Sequence, residues 1–167
     1  MVLPSVAALR HALPRDARLI GLDPGAKTVG VALTDVTLML ASPYAALKRG
    51  KLKPMAEAIL AIARKEGAGG IVVGLPLSMD GGFGPAAQAA RDWAHALSDA
   101  TGLPVALWDE RLSSAAVNRM LISEADLTRA KRAEAVDKAA AAYMLQGALD
   151  ATKNALDATK GEGRAAP

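Results

Sequence analysis

The sequence predicts an α/β domain built on a mixed five-stranded sheet with helices on both faces. Three observations carry this expectation: short apolar runs stopped by Gly or Pro, apolar residues at helical spacing between the later runs, and three closely joined runs at the start. Leu19-Ile20-Gly21-Leu22-Asp23 is a buried strand halted by Pro24-Gly25. Val29 to Thr34 is a second strand, reached by a turn too short for a crossover, so the two pair antiparallel. Leu38 to Leu40, after Asp35, is expected as the third strand of a meander. From Pro54 onward, Met55, Ile59, Ile62 and Ala63 recur at helical spacing, with Pro54 in the first turn and Gly67 as the stop. Gly70 to Gly74 is a fully buried strand ending in Leu75-Pro76. A second helix runs from about Pro85 to Ala100, its apolar face formed by Ala86, Ala89, Ala90, Trp93, Ala94 and Leu97. Val105 to Trp108 is a further buried strand. Ser113 or Ser114 caps a short helix through Ile122, and Ala133 to Asp150 forms a longer one through Val136, Ala140, Tyr143, Met144 and Gly147. Strands alternating with helices in the second half require parallel pairing there.

A length of 167 residues fits one domain, placed at residues 18–150, with residues 1–17 as an amino-terminal arm or short helix and residues 151–167 as a frayed tail. The absence of Cys excludes disulfides, Cys-ligated zinc, iron–sulfur clusters and thiol nucleophiles, and two histidines, His11 and His95, are too few for a His-rich metal site. A net charge of +3 suits a polyanionic partner. Five aromatic residues are too few for a platform of stacked bases, so contact with nucleic acid is expected through its phosphates. The longest charge-free stretch, Gly67 to Met79, is shorter than a membrane span and is broken by Gly and Pro. The start lacks the basic segment of a secretory signal, and a soluble, cytoplasmic protein is expected.

In an open α/β sheet the reactive crevice lies beyond the carboxyl ends of the parallel strands. Asp23 ends the first strand and Asp109-Glu110-Arg111 ends the last, each where a buried strand emerges from the core. Singly, such residues are good turn formers and helix caps. A third acid, Asp137, sits in the first turn of the last helix, where the macrodipole alone favours it. The alanines at 139–142 change its meaning, because small side chains let a helix approach a sheet closely and carry Asp137 toward Asp23 and Glu110. Converging carboxylates without Cys or His suit hard cations such as Mg²⁺ or Mn²⁺. Two such ions about 3.5–4 Å apart activate a water and stabilise the leaving oxygen of a phosphodiester. Hydrolysis of nucleic acid is the expected chemistry.

The glycines between Gly21 and Gly30 match neither the Walker nor the dinucleotide fingerprint. The strand-Asp-x-Gly-x-Lys-Thr turn is similar to the phosphate loop of actin-like and sugar-kinase ATPases, but those enzymes clasp nucleotide between two domains, and this chain has length for one. Lys27 and Thr28 of that turn are candidate substrate contacts. Basic residues cluster at Lys48, Arg49, Lys51 and Lys53 and again at Arg129, Lys131 and Arg132. Either cluster reads as a solvated face or a phosphate contact; its place upstream of Asp137 assigns the second to substrate, together with Arg111 beside Glu110. The Gly74 to Gly82 segment reads as a wide loop or a flap over the cleft, with Asp80 as a possible further acid.

Four segments, Leu19 to Asp35, Ile71 to Gly81, Asp109 to Ser113 and Val136 to Ala140, resemble in order and spacing the signatures of the YqgF/RuvX family. The resemblance covers nearly all of residues 19–150. It implies a ribonuclease H-like fold with strand order 3-2-1-4-5 and strand 2 antiparallel, kinship with Holliday junction resolvases, and a nuclease role in maturing the 5′ end of the 16S ribosomal RNA precursor. Position by position it puts the family's acids at Asp23, Glu110 and Asp137. The expected partners are structured RNA, including ribosomal precursor particles, with no membrane; a monomer and a homodimer both stay open. Four-way DNA junctions are the alternative substrate, and a non-catalytic nucleic-acid-binding module is the rival from another class.

Overall fold

The computed structural model describes residues 1–25, 27–75, 84–109 and 129–164, with the side chains of 129–134 and 154–164 left aside. The elements are α1 (Val6–Ala12), β1 (Arg18–Pro24), β2 (Thr28–Thr34), β3 (Ala41–Lys48), α2 (Leu52–Glu66), β4 (Ala68–Leu75), α3 (Pro85–Thr101), β5 (Val105–Asp109) and α4 (Arg129–Arg164). The five strands form one sheet in the order β3-β2-β1-β4-β5. β2 runs antiparallel to both neighbours, whereas β4 is parallel to β1 and to β5. This is the mixed five-stranded sheet expected from the sequence.

Alternation along the strands makes two apolar faces. Ile20, Leu22, Val29, Val31, Ile71 and Val73 point toward α2 and α3 and pack with Met55, Ile59, Ala94 and Leu97. Leu19, Ala32, Val72 and Ala106 point the other way, against Val6 and Leu9 of α1 and Ala141, Met144, Leu145, Ala148 and Leu149 of α4. The result is three layers. The amino-terminal residues also cover the outer edge of β5: Leu3 N–H donates to the Val105 carbonyl at 2.7 Å, and Val105 N–H to the Met1 carbonyl at 3.0 Å. That pairing blunts an otherwise open sheet edge.

Several boundaries differ from the sequence expectation. The third strand is not Leu38 to Leu40 but Ala41–Lys48. Asp35 is the physical reason: its Oδ1 accepts from the Met39 and Leu40 N–H groups at 2.9 and 3.1 Å, and the Thr37 hydroxyl donates to Oδ2. Those N–H groups are thereby lost to a ladder, and Leu38 takes a left-handed φ of 57°. Helix α2 begins at Leu52, so Pro54 is its third residue, and it ends where Gly67 adopts φ 71°. The buried stripe of α3 runs through Ala87, Ala90, Ala94, Leu97 and Ser98, so Ala90, Ala94 and Leu97 lie inside as expected while Ala86 and Ala89 are exposed. α4 begins before Ala133 and continues past Asp150, and Tyr143, expected in its apolar face, is 50% exposed. The short helix expected from Ser113 or Ser114 to Ile122 lies outside the described residues, as do Pro76 to Phe83 with Asp80.

The Asp35 turn has a pH signature. Burial acts to raise the Asp35 pKa, but the hydrogen bonds from Thr37, Leu40 and Met39 outweigh it and hold the carboxyl below its ordinary range. A folded-state pKa below the unfolded one contributes stability that is present above about pH 4 and is lost as pH falls through the folded value. In thermal melts across pH 2 to 7, Asp35→Ala is therefore expected to show a shallower acid-side decline than the wild type.

Candidate active site

β1 ends in Asp23-Pro24-Gly25, and the turn into β2 closes through Gly25 N–H donating to the Thr28 carbonyl at 2.8 Å. A Cβ on Gly25 would sit 2.8 Å from that same oxygen, so the turn needs glycine there. Across the hairpin Asp23 lies opposite Gly30. Directly opposed residues of an antiparallel pair project to the same face, and Gly30 faces α4. A Cβ built on Gly30 would lie 2.0 Å from the backbone oxygen of Asp137 and 3.3 Å from the Ala141 Cβ. At this point α4 therefore rests on bare backbone. One strand over, Gly21 gives Leu145 similar room, with a virtual Cβ 3.0 Å from its side chain.

These contacts confirm the close approach expected of the alanine-rich segment, and they bring Asp137 to the same end and face of the sheet as Asp23. The Thr28 hydroxyl donates to Asp137 Oδ2. Thr28, read from sequence as a substrate contact, thus grips the side chain of the acid. Both carboxylates are half-buried at the sheet's end. Two carboxylates with a neighbouring hydroxyl make a hard, all-oxygen donor set, which fits Mg²⁺ or Mn²⁺. Among the described residues there is no group of three metal-ligating side chains. The third expected acid, Glu110, lies outside the described residues together with Arg111. It directly follows Asp109, the last residue of β5, and Trp108 two positions earlier packs on the α4 face. Arg129, Lys131 and Arg132 fall in the first turn of α4, two turns before Asp137, with their side chains outside the description.

The basic cluster at Lys48 and Arg49 also lies beside the turn that follows Asp23. Lys48 lies opposite Thr28 in the β2–β3 ladder, and Arg49 continues it, its N–H donating to the Lys27 carbonyl at 2.9 Å. The Arg49 guanidinium also donates to the Gly25 carbonyl at 2.6 Å. Exposed Lys27, Lys48 and Arg49 therefore gather around the turn that carries Asp23. The signal was available in the charge cluster, but its location depends on the true start and register of β3.

Residues 17–151 match the family described as RuvX: Holliday junction resolvase. The chain belongs to the RuvX family. Relatives within it include a candidate pre-16S rRNA nuclease of Gluconacetobacter diazotrophicus, 68% identical over 152 residues that cover 91% of this chain and 99% of that protein. A second, of the same description, from Acidiphilium cryptum, is 69% identical over 150 residues, covering 90% of this chain and 94% of the other. Among solved structures, Thermus thermophilus RuvC in complex with a Holliday junction substrate superposes with a TM-score of 0.51 at 18% identity, covering 83% of this chain and 96% of that one. This RuvX member thus shares the ribonuclease H-like fold of a resolvase, and the acids at 23 and 137 fall within the matched residues.

Proposed function

We propose that this chain is a divalent-metal-dependent endonuclease that hydrolyses phosphodiester bonds in 5′-end processing of pre-16S rRNA. The observation that carries this reading is the seating of Asp137 over Gly30, opposite Asp23, at the carboxyl end of β1. The family membership and the descriptions of the two relatives support it.

Asp23 and Asp137, with Glu110, the residue that follows β5 in the sequence, would hold Mg²⁺ or Mn²⁺. Two such ions, held by these acids, would supply Lewis-acid polarisation of the phosphodiester and activation of a water near neutral pH. The protein's own contribution is positional. Gly30 admits α4, Thr28 orients the Asp137 carboxylate, and Lys27, Arg111, Arg129, Lys131 and Arg132 draw the substrate's phosphates toward the acids. Thr28 is a positioning residue. Thr28→Val is expected to lower the cleavage rate about tenfold, in the range seen when a hydrogen bond to a metal ligand is removed, while Thr28→Ser restores it. Equal rates for Thr28→Val and wild type would remove Thr28 from this role.

The family's description as a Holliday junction resolvase makes the four-way DNA junction the second substrate to test. Purified protein is incubated with Mn²⁺ and either precursor 16S rRNA or a synthetic junction, beside Asp137→Asn prepared identically. Cleavage of the RNA by the wild type alone supports the proposal. Cleavage of the junction alone transfers the site to DNA. Equal activity in wild type and variant would overturn the catalytic assignment.

A further inference from the structure

On the face of the sheet opposite Asp23, a cavity of about 310 Å³ opens between the β1–β2 turn and the first half of α3. Its walls are Pro24 and Gly25 on one side and Ala86, Ala89, Ala90 and Trp93 on the other, with Arg49 at the rim. The exposure of Ala86 and Ala89 at the start of α3 accounts for its shape. Ala86 and Ala89 are exposed and too small to fill the space beside Trp93, whose ring is only partly buried. The result is a slot floored by small residues, walled by an indole and edged by the guanidinium of Arg49.

We infer that this cavity takes one unpaired base of a nucleic-acid strand, stacked against Trp93, while Arg49 and the neighbouring Lys27 hold the adjoining phosphates. The inference rests on the nuclease reading above and names where the strand leaves the site. Three features favour a base. The volume lies at the lower end of small-ligand pockets and suits a flat aromatic ring. An indole offers every base a stacking face without sequence preference. The guanidinium of Arg49 carries more donors than its bond to the Gly25 carbonyl uses, and its planar fork suits phosphate. Continuity adds a fourth. Pro24 and Gly25 follow Asp23 directly, so a strand whose phosphate lies at the acids reaches the cavity around the edge of a single turn. The scarcity of aromatic residues is compatible with one such subsite, though not with a platform.

The test is equilibrium binding of a fluorescently labelled, short single-stranded RNA to the full chain in EDTA, so that no cleavage intervenes. Ala89→Leu fills the cavity from an exposed helical position and leaves the core alone. It is expected to weaken binding about tenfold, the scale of one base–aromatic stack, with an unchanged melting temperature. Trp93→Phe keeps a ring and binds within a few-fold of the wild type. Arg49→Gln weakens binding and lowers the salt slope by about one phosphate between about 50 and 200 mM salt. An oligonucleotide with abasic sites binds the wild type more weakly, and Ala89→Leu weakens it no further. If Ala89→Leu lowers the melting temperature, Ala86→Leu is used instead. Wild-type affinity in a folded cavity-filled variant, or no binding by the wild type, overturns the inference. The two readings fail separately. Normal binding by Ala89→Leu with cleavage still abolished by Asp137→Asn removes the base subsite alone; impaired binding with cleavage unaffected by Asp137→Asn leaves a base pocket on a protein whose catalytic assignment has failed.

Discussion

Gly30→Ala is expected to destabilise the protein by about 3 kcal/mol and to lower nuclease activity at least a hundredfold. The added methyl would sit 2.0 Å from the Asp137 backbone oxygen and 2.6 Å from its carbonyl carbon. No rotamer change relieves a clash with backbone, so α4 must withdraw by more than an ångström. Overpacking of this kind costs about 1–3 kcal/mol, and displacement of a main-chain segment places it at the upper end. For a chain of this length that corresponds to a fall of roughly 10 °C in Tm. The activity loss exceeds the stability loss because the same withdrawal carries Asp137 away from Asp23 and breaks its hydrogen bond with Thr28. Calorimetry and cleavage assays on one preparation check both parts. A Gly30→Ala protein with wild-type Tm would show that α4 does not rest on the sheet at this position.

Asp23→Asn separates chemistry from folding. The side chain stays nearly isosteric at the end of β1, so the sheet register with Gly30 is kept and Tm is expected to change little. Activity is expected to fall on the order of a thousandfold. A lost carboxylate ligand removes several kcal/mol of transition-state stabilisation, and each 1.36 kcal/mol is about tenfold in rate. Raising Mn²⁺ should recover part of the activity if the amide still coordinates weakly. Undiminished cleavage by Asp23→Asn would exclude this carboxylate from the reaction.

Much of this arrangement is legible in the residues. Short apolar strands, with turn lengths that forbid or demand crossovers, give the antiparallel start of the sheet and its parallel half, whereas the strand order follows from the family resemblance. The alanines after Asp137 anticipate how near α4 comes to β2, although the matching gap, Gly30, is recognised only once the register is known. What stays hidden has physical causes. Asp35 captures two backbone N–H groups and delays β3, and that delay decides where Lys48 and Arg49 stand. The expected stripe of α3 holds at Ala90, Ala94 and Leu97 but not at its start, because Ala86 and Ala89 are as apolar as Ala87 and composition cannot tell them apart. Glu110 follows the last residue of β5 in the sequence, and no periodicity in the residues around it fixes its direction.

Binding of Mn²⁺ followed by electron paramagnetic resonance, in the absence of nucleic acid, tests the central claim most directly. Wild type is expected to bind the ion, and Asp23→Asn, Glu110→Gln and Asp137→Asn are each expected to weaken that binding strongly while keeping the wild-type melting temperature. Mn²⁺ binding of wild-type strength in all three variants would contradict a shared metal site built from these acids.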